Sequence, residues 1–294
     1  MRNASALSRF IAPMIAVGIL VGGCGQASFP QIPSPRTAGA PGEPMAAGSN
    51  GNTGLPPSAA PDSTPRGTVF RNPANGRNEV VVEDIARTAV LIGDSQSEPA
   101  DSWPRTALAS LGYTVHFCGR GGTGFVASNG KTGNYIDALQ RGDWLLPYGS
   151  PPLVVIEGGG NDASRGATDQ QISTNAERLI ASVRQRYPEA KLAMIGTLAR
   201  GAAEGGGRRT EVDALLGTVA ARNAIAFVSV GDWLTRYNLT RLMADSVHMN
   251  AEGHAALGIL LAQRLDGLGF RTPEIAKAEP ATAVSRPASF AANR

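Results

Sequence analysis

The residue around which a reaction could be built is Ser95. It follows the apolar run 89–92 within Gly93-Asp94-Ser95, and such a run is typical of a buried parallel strand that ends in a tight turn. Open α/β folds place their functional sites at the carboxyl ends of parallel strands, which predicts an accessible Ser95 hydroxyl at that edge. A serine hydroxyl becomes a nucleophile beside a base that an acidic group orients, so a histidine and a carboxylate must come from elsewhere in the chain.

The sequence offers three histidines as candidate bases. His116 lies within a predicted strand and His254 in the first turns of a predicted helix, so we interpret both as structural residues. His248 instead lies in a polar loop, three residues after Asp245. At that spacing the carboxylate can bond one ring nitrogen and leave the other free to act as a general base. The alternative is a surface loop in which Asp245 only pairs locally.

Two glycine-rich segments follow neighbouring predicted strands and could supply hydrogen-bond donors. The segment 119–124 offers backbone N–H groups without bulky side chains, and the segment 158–162 offers the side-chain amide of Asn161. Acyl transfer needs such donors where negative charge develops on oxygen. Neither segment has the pattern of a phosphate-binding or dinucleotide-binding loop. Because glycine-rich turns are common, these segments carry weight only together with the serine and the histidine.

The apolar pattern predicts the elements that would position these residues. Five apolar runs recur at regular spacing, with helical periodicity between them, which indicates repeated βαβ units and a parallel sheet covered on both faces. The predicted strands are 89–92, 113–117, 153–156, 192–195 and 225–230. The clearest predicted helices are 102–111, 172–186 and 251–268.

Four short motifs follow these strands in the order Gly93-Asp94-Ser95, Gly122 with its loop, Gly160-Asn161-Asp162 and Asp245-x-x-His248. Together they resemble the SGNH hydrolase family, also known as GDSL-like esterases and lipases, over nearly all of the predicted domain. The resemblance implies a flavodoxin-like three-layer α/β/α sandwich around a five-stranded parallel sheet. It also implies hydrolysis of carboxylic esters through an acyl-enzyme, with no metal or organic cofactor.

The resemblance assigns a role to each candidate residue. Ser95 is the nucleophile, His248 the base and Asp245 the group that orients it. The oxyanion hole consists of the N–H groups of Ser95 and Gly122 and the side chain of Asn161. The choice of Gly122 over its neighbour Gly121 rests on the alignment of the motifs.

The chain departs from the common pattern of that family close to the nucleophile. Gln96 follows the serine where many members have leucine, and the glycine often found a few residues later is absent, with Glu98-Pro99 nearby. These residues leave the acyl pocket undefined.

The amino terminus predicts export. Residues 1–24 have a cationic start, an apolar segment 10–21 and small residues that lead to Cys24, as in a lipoprotein-type signal peptide. The apolar segment is shorter than the ~20 residues of a membrane-spanning helix. We therefore expect a lipid anchor on Cys24 at a membrane of the cell envelope. The alternative is an ordinary signal peptide with a chance cysteine, and then a secreted protein.

Composition divides the rest of the chain. Residues 25–77 are rich in Pro, Gly and Ser and are predicted to be a disordered tether, residues 78–270 to be the hydrolase domain, and residues 271–294 to be a disordered tail. The predicted domain holds 17 Lys and Arg against 20 Asp and Glu, so the chain's net charge of +3 belongs to its ends. No basic stripe interleaved with aromatics occurs in that domain, which argues against nucleic-acid binding. If Cys24 carries lipid, Cys118 has no partner and the domain has no disulfide.

The function expected from these features is that of a serine esterase acting on short acyl or acetyl groups. One alternative is an O-acetyltransferase or deacetylase that acts on envelope glycan. A second alternative is a non-catalytic envelope lipoprotein with a binding role. The expected partners are a small-molecule, glycan or lipid ester as substrate and the membrane through the lipid anchor, with the protein as a monomer. The segment 201–207 is interpreted as a surface loop, with a substrate lid as the alternative.

Overall fold

Seven β-strands form two sheets within residues 64–272, the part of the chain that this computed structural model describes. A small antiparallel sheet pairs β1 with β2, and a five-stranded parallel sheet holds the other five strands. The strands are β1 Val69–Arg71, β2 Asn78–Val80, β3 Thr88–Gly93, β4 Thr114–Gly119, β5 Leu153–Glu157, β6 Lys191–Ile195 and β7 Ala226–Val228.

The strand order of the large sheet determines where a site can form. The order is β4-β3-β5-β6-β7, and each neighbouring pair is parallel. The strand that follows β3 in the chain, β4, lies on one side of it, and all later strands lie on the other side. The loops after β3 and β4 therefore lead away in opposite directions at the carboxyl edge of the sheet and leave a crevice there. The predicted five-stranded parallel sheet and flavodoxin-like layering are confirmed, and Ser95 lies at this switch point.

Helices cover both faces of the sheet and complete the three layers. The three helices predicted most clearly from periodicity correspond to α1, α4 and α7, with ends that differ by up to three residues. The helices are α1 Trp103–Ser110, α2 Tyr135–Arg141, α3 Gly160–Ser164, α4 Asp169–Arg186, α5 Gly207–Arg222, α6 Trp233–Arg236 and α7 Ala251–Gly267.

Two hydrophobic cores hold these helices on the sheet. Side chains alternate along β3, so Leu91 packs in one core with Trp103 of α1 and Leu257 of α7. Its neighbour Ile92 packs in the other core, with the helices α2, α4 and α5. All residues of β3 are buried, and full burial of one such aliphatic side chain contributes about 1.5–3 kcal/mol. The strand that leads into the turn with Ser95 is thus fixed from both sides.

The ordered fold begins before residue 78, where the predicted tether was expected to end. β1 lies within the segment predicted as tether and pairs with β2, directly after it, as a hairpin. Within β2 the buried Glu79 accepts hydrogen bonds from Asn72 (2.9 Å) and from Nη2 of Arg186 on α4 (2.6 Å). The composition of 64–77 resembles a linker, but a charged pair between distant parts of the chain holds the hairpin on the domain. At the other end Thr272 is also ordered, since its N–H donates to the carbonyl of Leu111 (3.0 Å).

Several predictions concern residues outside the described range. The signal peptide, Cys24 and the tether up to residue 63 are not described, and neither are residues 273–294 of the tail. No helix within 64–272 is both long and apolar enough to cross a membrane. Cys118 on β4 is a buried free thiol.

Candidate active site

Ser95, His248 and Asp245 lie in one hydrogen-bonded row. Nε2 of His248 is 2.9 Å from Oγ of Ser95, and Nδ1 of His248 is 2.8 Å from Oδ2 of Asp245. Ser95 comes from the turn after β3, and the other two residues come from the loop before α7, some 150 residues later in the chain. The structure therefore brings together the three residues that the sequence proposed as nucleophile, base and orienting group.

The loop that carries the histidine is shaped by the carboxylate itself. Oδ1 of Asp245 accepts the backbone N–H groups of Val247 and His248, both at 2.7 Å, while Oδ2 faces the ring. The hydrogen bond with His248, aided by these two N–H groups, holds the pKa of Asp245 well below its usual range. The loop is closed by Asn250, whose side chain accepts the N–H of Gly253 and caps α7 (2.8 Å). An ionised carboxylate thus fixes the ring with Nε2 towards the serine.

The glycine loop after β4 places one unengaged N–H group, that of Gly122, at the cleft that Ser95 and His248 line. Gly121 donates its N–H to Oε2 of Glu98 (2.7 Å), whereas the N–H groups of Gly122 and Ser95 donate to no residue within 64–272. Gly122 has φ +76°, a left-handed conformation that favours glycine. Because Glu98 occupies the donor of Gly121, the geometry distinguishes the two glycines and leaves Gly122 as the available one.

Asn161 lines the same cleft as Ser95 and Gly122, but its side chain already makes hydrogen bonds within the protein. Its Nδ2 donates to Oδ2 of Asp94 (3.0 Å) and to the carbonyl of Thr123 (2.9 Å). A side-chain amide has two N–H donors, so both have acceptors here. To donate to a substrate oxygen, Asn161 would have to share or exchange one of these bonds.

The residue after it, Asp162, holds the glycine loop against the end of β5. Its carboxylate accepts the N–H groups of Phe125, Val126 and Ala127 at 2.8–2.9 Å. Asp162 is fully buried, and three N–H donors offset the cost of burying its charge. The loops after β4 and β5 are therefore fixed relative to each other.

Two residues to which the sequence assigned no role, Gln96 and Glu98, connect the turn with Ser95 to the other loops. Gln96 donates from Nε2 to the carbonyl of Val247 (2.6 Å) and accepts the indole N–H of Trp103 (3.3 Å). Glu98 bonds the N–H of Gly121, as described, and pairs with Arg120 (3.0 Å). Both lie where the sequence departs from the common family pattern, and this departure was the only sign in the sequence that they could matter to the site.

Two buried carboxyl groups lie beneath the turn. Burial raises the pKa of Asp94 to about 6, against the opposing effect of the N–H that it accepts from Gln96. Burial, together with the nearby Asp94, also raises the pKa of Glu157, at the end of β5. The hydroxyl of Ser97 donates to Glu157 (2.8 Å). Through these bonds with Gln96 and Ser97, the carboxyl groups of Asp94 and Glu157 connect the turn after β3 to the central strands of the sheet.

The other two histidines bond to the backbone. Nε2 of His116 lies 2.8 Å from the carbonyl of Leu145, and Nδ1 of His254 accepts the N–H of Trp103 at the start of α1 (3.3 Å). Both are thus placed as the structural residues that the sequence indicated.

The row of side chains opens into a cleft of about 250 Å³. Ser95, Gly122, Asn161 and His248 line it, together with Arg209 from the first turn of α5. Within residues 64–272 no group of three or more His, Cys, Asp or Glu side chains is arranged to hold a metal ion.

The sequence of the domain decides its family. The family model described as GDSL-like Lipase/Acylhydrolase matches residues 84–256, which is more than half of the chain. The chain belongs to this family. As a GDSL-like acylhydrolase with the row of side chains described above, it is a hydrolase that acts on ester bonds. The predicted family and reaction class are confirmed.

Three solved structures illustrate the similarity of this fold to known proteins. A carbohydrate esterase family 2 enzyme with a carbohydrate-binding domain from Corynascus thermopiles (Myceliophthora fergusii) is 20% identical, with 66% of this chain and 70% of that chain covered and a TM-score of 0.49. A lipolytic protein of the G-D-S-L family from Veillonella parvula is 16% identical, with 63% and 99% covered and a TM-score of 0.47. TesA is 23% identical, with 62% and 99% covered and a TM-score of 0.45. Likeness at this level carries no information on the substrate of the GDSL-like acylhydrolase. Among curated proteins no match was found.

Proposed function

We propose that this protein is a serine esterase that hydrolyses carboxylic esters of short acyl groups through an acyl-enzyme on Ser95. The observation that carries the proposal is the row in which Nε2 of His248 lies 2.9 Å from Oγ of Ser95 and Asp245 holds the opposite ring nitrogen. This arrangement supplies a nucleophile, a base and an orienting carboxylate within hydrogen-bond distance of one another.

In the first half of the reaction, Nε2 of His248 accepts the proton of Ser95 as Oγ attacks the ester carbonyl carbon. The carbonyl π electrons move to oxygen, which becomes an oxyanion. The free N–H groups of Ser95 and Gly122 are the proposed donors to it, and Asn161 is a third if it exchanges its bond with a protein acceptor. Each such donor contributes about 2.7–4 kcal/mol to lowering the barrier in comparable enzymes.

The second half releases both products. Protonated His248 gives its proton to the leaving alcohol oxygen as the tetrahedral intermediate collapses, and the acyl group remains on Ser95. Water then attacks the acyl-enzyme carbonyl while His248 takes one of its protons. When the second intermediate collapses, the bond from the acyl carbon to Oγ of Ser95 breaks, His248 returns the proton to Oγ, and the acid is released. In each step the positive charge on His248 is balanced by the negative charge on the substrate oxygen, and Asp245 stays ionised throughout.

The lining of the cleft supports short acyl groups. Among the described residues that line it, Val247 is the only aliphatic side chain larger than a methyl group. A long acyl chain gains about 0.8 kcal/mol for each CH₂ that it buries, and this cleft offers little apolar surface for that. Acetyl and similar groups therefore fit the site best.

Transfer of the acyl group to a sugar is the alternative outcome of the same chemistry. The acyl-enzyme can be attacked by a sugar hydroxyl in place of water, which would make the protein an O-acetyltransferase, and hydrolysis of an acetylated envelope glycan would make it a deacetylase. Product analysis with a sugar acceptor present separates transfer from hydrolysis.

We also propose that the protein is exported and held at a membrane of the cell envelope by lipid on Cys24. The support is the sequence of residues 1–24, with its cationic start, short apolar segment and small residues before the cysteine. Metabolic labelling with a fatty acid should mark the wild-type protein and not a Cys24→Ser variant. Release of an unlabelled wild-type protein into the medium would instead indicate simple secretion.

A series of p-nitrophenyl esters tests the proposed reaction and its acyl preference. We expect kcat/KM to be highest for the acetate or butyrate and to fall towards the octanoate, and an acetylated glycan should release acetate. The Ser95→Ala variant should lose all of these activities. Ester turnover that survives this substitution would contradict the serine mechanism. A wild-type protein that turns over no ester and reacts with no serine-directed reagent would support the non-catalytic binding role.

A further inference from the structure

A second cavity of about 200 Å³ adjoins the catalytic cleft. The two cavities share Arg209 and Val247, which form the boundary between them. The second cavity combines apolar walls with two arginines, Arg200 and Arg209. Its apolar walls include Leu198, Leu234 and Met243. A ligand that enters it would therefore meet both hydrocarbon surface and positive charge.

Arg209 is held in place through its Nε atom, which leaves its two terminal nitrogens, Nη1 and Nη2, available to a ligand. Its Nε donates to the carbonyl of Leu198 (2.9 Å), and its guanidinium lies against Gly160, where a Cβ atom would be 2.7 Å from Nη1. Among the hydrogen bonds of residues 64–272, Arg209 donates through Nε alone, and its interactions with carboxylates act through space. A guanidinium has five N–H donors, so four remain for a ligand.

The buried carboxyl groups nearby have hydrogen bonds of their own. Asp94 accepts from Gln96 and Asn161, and Glu157 accepts from Ser97. They interact with Arg209 electrostatically, through space. Both carboxylates therefore have hydrogen-bond donors other than the Nη atoms of Arg209, so these atoms can bind a ligand.

The chemistry of the catalytic row shows which part of the substrate reaches the second cavity. His248 must protonate the oxygen of the leaving alcohol, so the alcohol part of the ester lies on the histidine side of the cleft. Ser246 and Val247, directly before this histidine, line the second cavity, whereas the proposed oxyanion donor Gly122 lines only the cleft. The second cavity is thus the place of the alcohol part.

The charge around the second cavity indicates the chemistry of that alcohol. Arg200 and Arg209 line it, and among the described residues no Asp or Glu does. This positive lining belongs to a domain in which acidic residues outnumber basic ones, so it is a local feature. Arginine is suited to a planar carboxylate because its N–H groups form a fork of matching geometry.

We propose that the natural substrates are short-chain acyl esters of an alcohol that carries a carboxylate, such as a hydroxy acid or an acidic sugar, and that Arg209 binds this carboxylate. The inference rests on the proposed esterase function and adds a substrate class to it. The carboxylate would lie against the outer nitrogens of Arg209, with Arg200 adding positive charge and the aliphatic walls contacting the carbon skeleton.

Two acetate esters and the full-length protein test the proposal. One is p-nitrophenyl acetate, and the other is its analogue with a carboxylate beside the nitro group, so that the charge lies on the leaving alcohol. Spontaneous hydrolysis of each is subtracted. The measured quantity is the ratio of kcat/KM for the charged ester to that for the neutral one, in the wild type, Arg209→Gln, Arg209→Lys and Arg200→Gln. Arg178→Gln, which removes the same charge from an exposed position on α4, is the control.

We expect the wild type to prefer the charged ester, and Arg209→Gln to lower the ratio roughly tenfold or more, mainly through KM. Arg209→Lys should lower it less, because it keeps the charge but not the fork, and Arg178→Gln should leave it unchanged. If Arg209→Gln does not fold, as judged by thermal unfolding, the wild-type preference and its loss in Arg200→Gln decide the matter.

Two results would overturn the carboxylate site while leaving the esterase intact. One is a wild type that shows no preference for the charged ester. The other is an Arg209→Gln variant that loses activity equally on both esters, which would mean that Arg209 serves only the buried carboxyl groups. A wild type that turns over neither ester, or a Ser95→Ala variant that turns over both, would instead refute the proposed function itself.

Discussion

Replacing Gln96 by glutamate should separate the nucleophile from its base without changing either of them. The two side chains have the same shape, and the carboxylate can still accept the indole N–H of Trp103. The carboxylate lacks the N–H donor of the amide. In the wild type Nε2 of Gln96 donates to the carbonyl oxygen of Val247, the residue before His248, at 2.6 Å. An acceptor would then face an acceptor. The contact that ties the histidine loop to the nucleophile's turn becomes repulsive.

The size of the effect follows from that bond. Gln96 is 6% exposed, so water can replace the lost partner only in part. A buried polar group left without a partner costs about 1–3 kcal/mol. If the histidine loop relieves this cost by moving away from Ser95, the fraction of molecules with the row intact falls about 5- to 150-fold, since ~1.4 kcal/mol corresponds to a factor of ten. We expect kcat to fall by that factor, with a smaller change in KM.

The assay combines turnover of p-nitrophenyl acetate with the rate at which a fluorophosphonate labels Ser95, which reports on the serine and its base directly. Gln140→Glu makes the same chemical change at an exposed position of α2 and serves as the control. Thermal unfolding measures any loss of stability separately. If kcat and the labelling rate of Gln96→Glu stay within twofold of the wild type while the melting temperature falls, Gln96 only stabilises the fold and does not hold His248 against Ser95.

Three further changes test other parts of the site. Glu98→Gln keeps an acceptor for the N–H of Gly121 and should reduce kcat/KM less than Glu98→Ala does; equal losses would show that this contact does not order the glycine loop. Asp245→Asn should reduce kcat/KM less than His248→Ala, because backbone contacts still hold part of the loop, and an equal loss would count against that division of roles. For Asp94, burial raises the folded pKa to about 6, above the ~3.9 of an unfolded chain, so its contribution to stability is greatest below pH 4 and is lost as the pH rises through 6. The melting temperature of Asp94→Asn should therefore decline less between pH 4 and 7 than that of the wild type, whereas parallel curves would mean that Asp94 does not titrate in this range.

The parts of the fold that follow from local pattern could be predicted from the sequence. The run 89–92 is apolar at every position because β3 is buried on both faces, and the periodicity of α4 reflects its one buried side. The short hairpin of β1 and β2 has no such pattern. It is held by the contact of Glu79 with Arg186, which lie 107 residues apart in the chain, and a linker-like composition conceals such a contact.

The same distinction holds within the site. Ser95, Asp245 and His248 could be proposed because their motifs are short and local, and the structure brings them together. The contacts of Gln96 with Val247 and of Glu98 with Gly121 join segments 151 and 23 residues apart. Arg209 gave no local signal at all, since an arginine at the start of a helix is ordinary. Its position between two cavities is visible only once the loops after the strands are placed.

Mass spectrometry of the protein after reaction with a fluorophosphonate tests whether Ser95 is the nucleophile. We expect a single adduct, located on the peptide that contains Ser95, with ester turnover lost in proportion to labelling. We expect no adduct in the Ser95→Ala variant and slow labelling in His248→Ala. Full labelling of another residue with Ser95 unmodified, or ester turnover that persists after Ser95 is fully modified, would contradict the claim that Ser95 is the nucleophile.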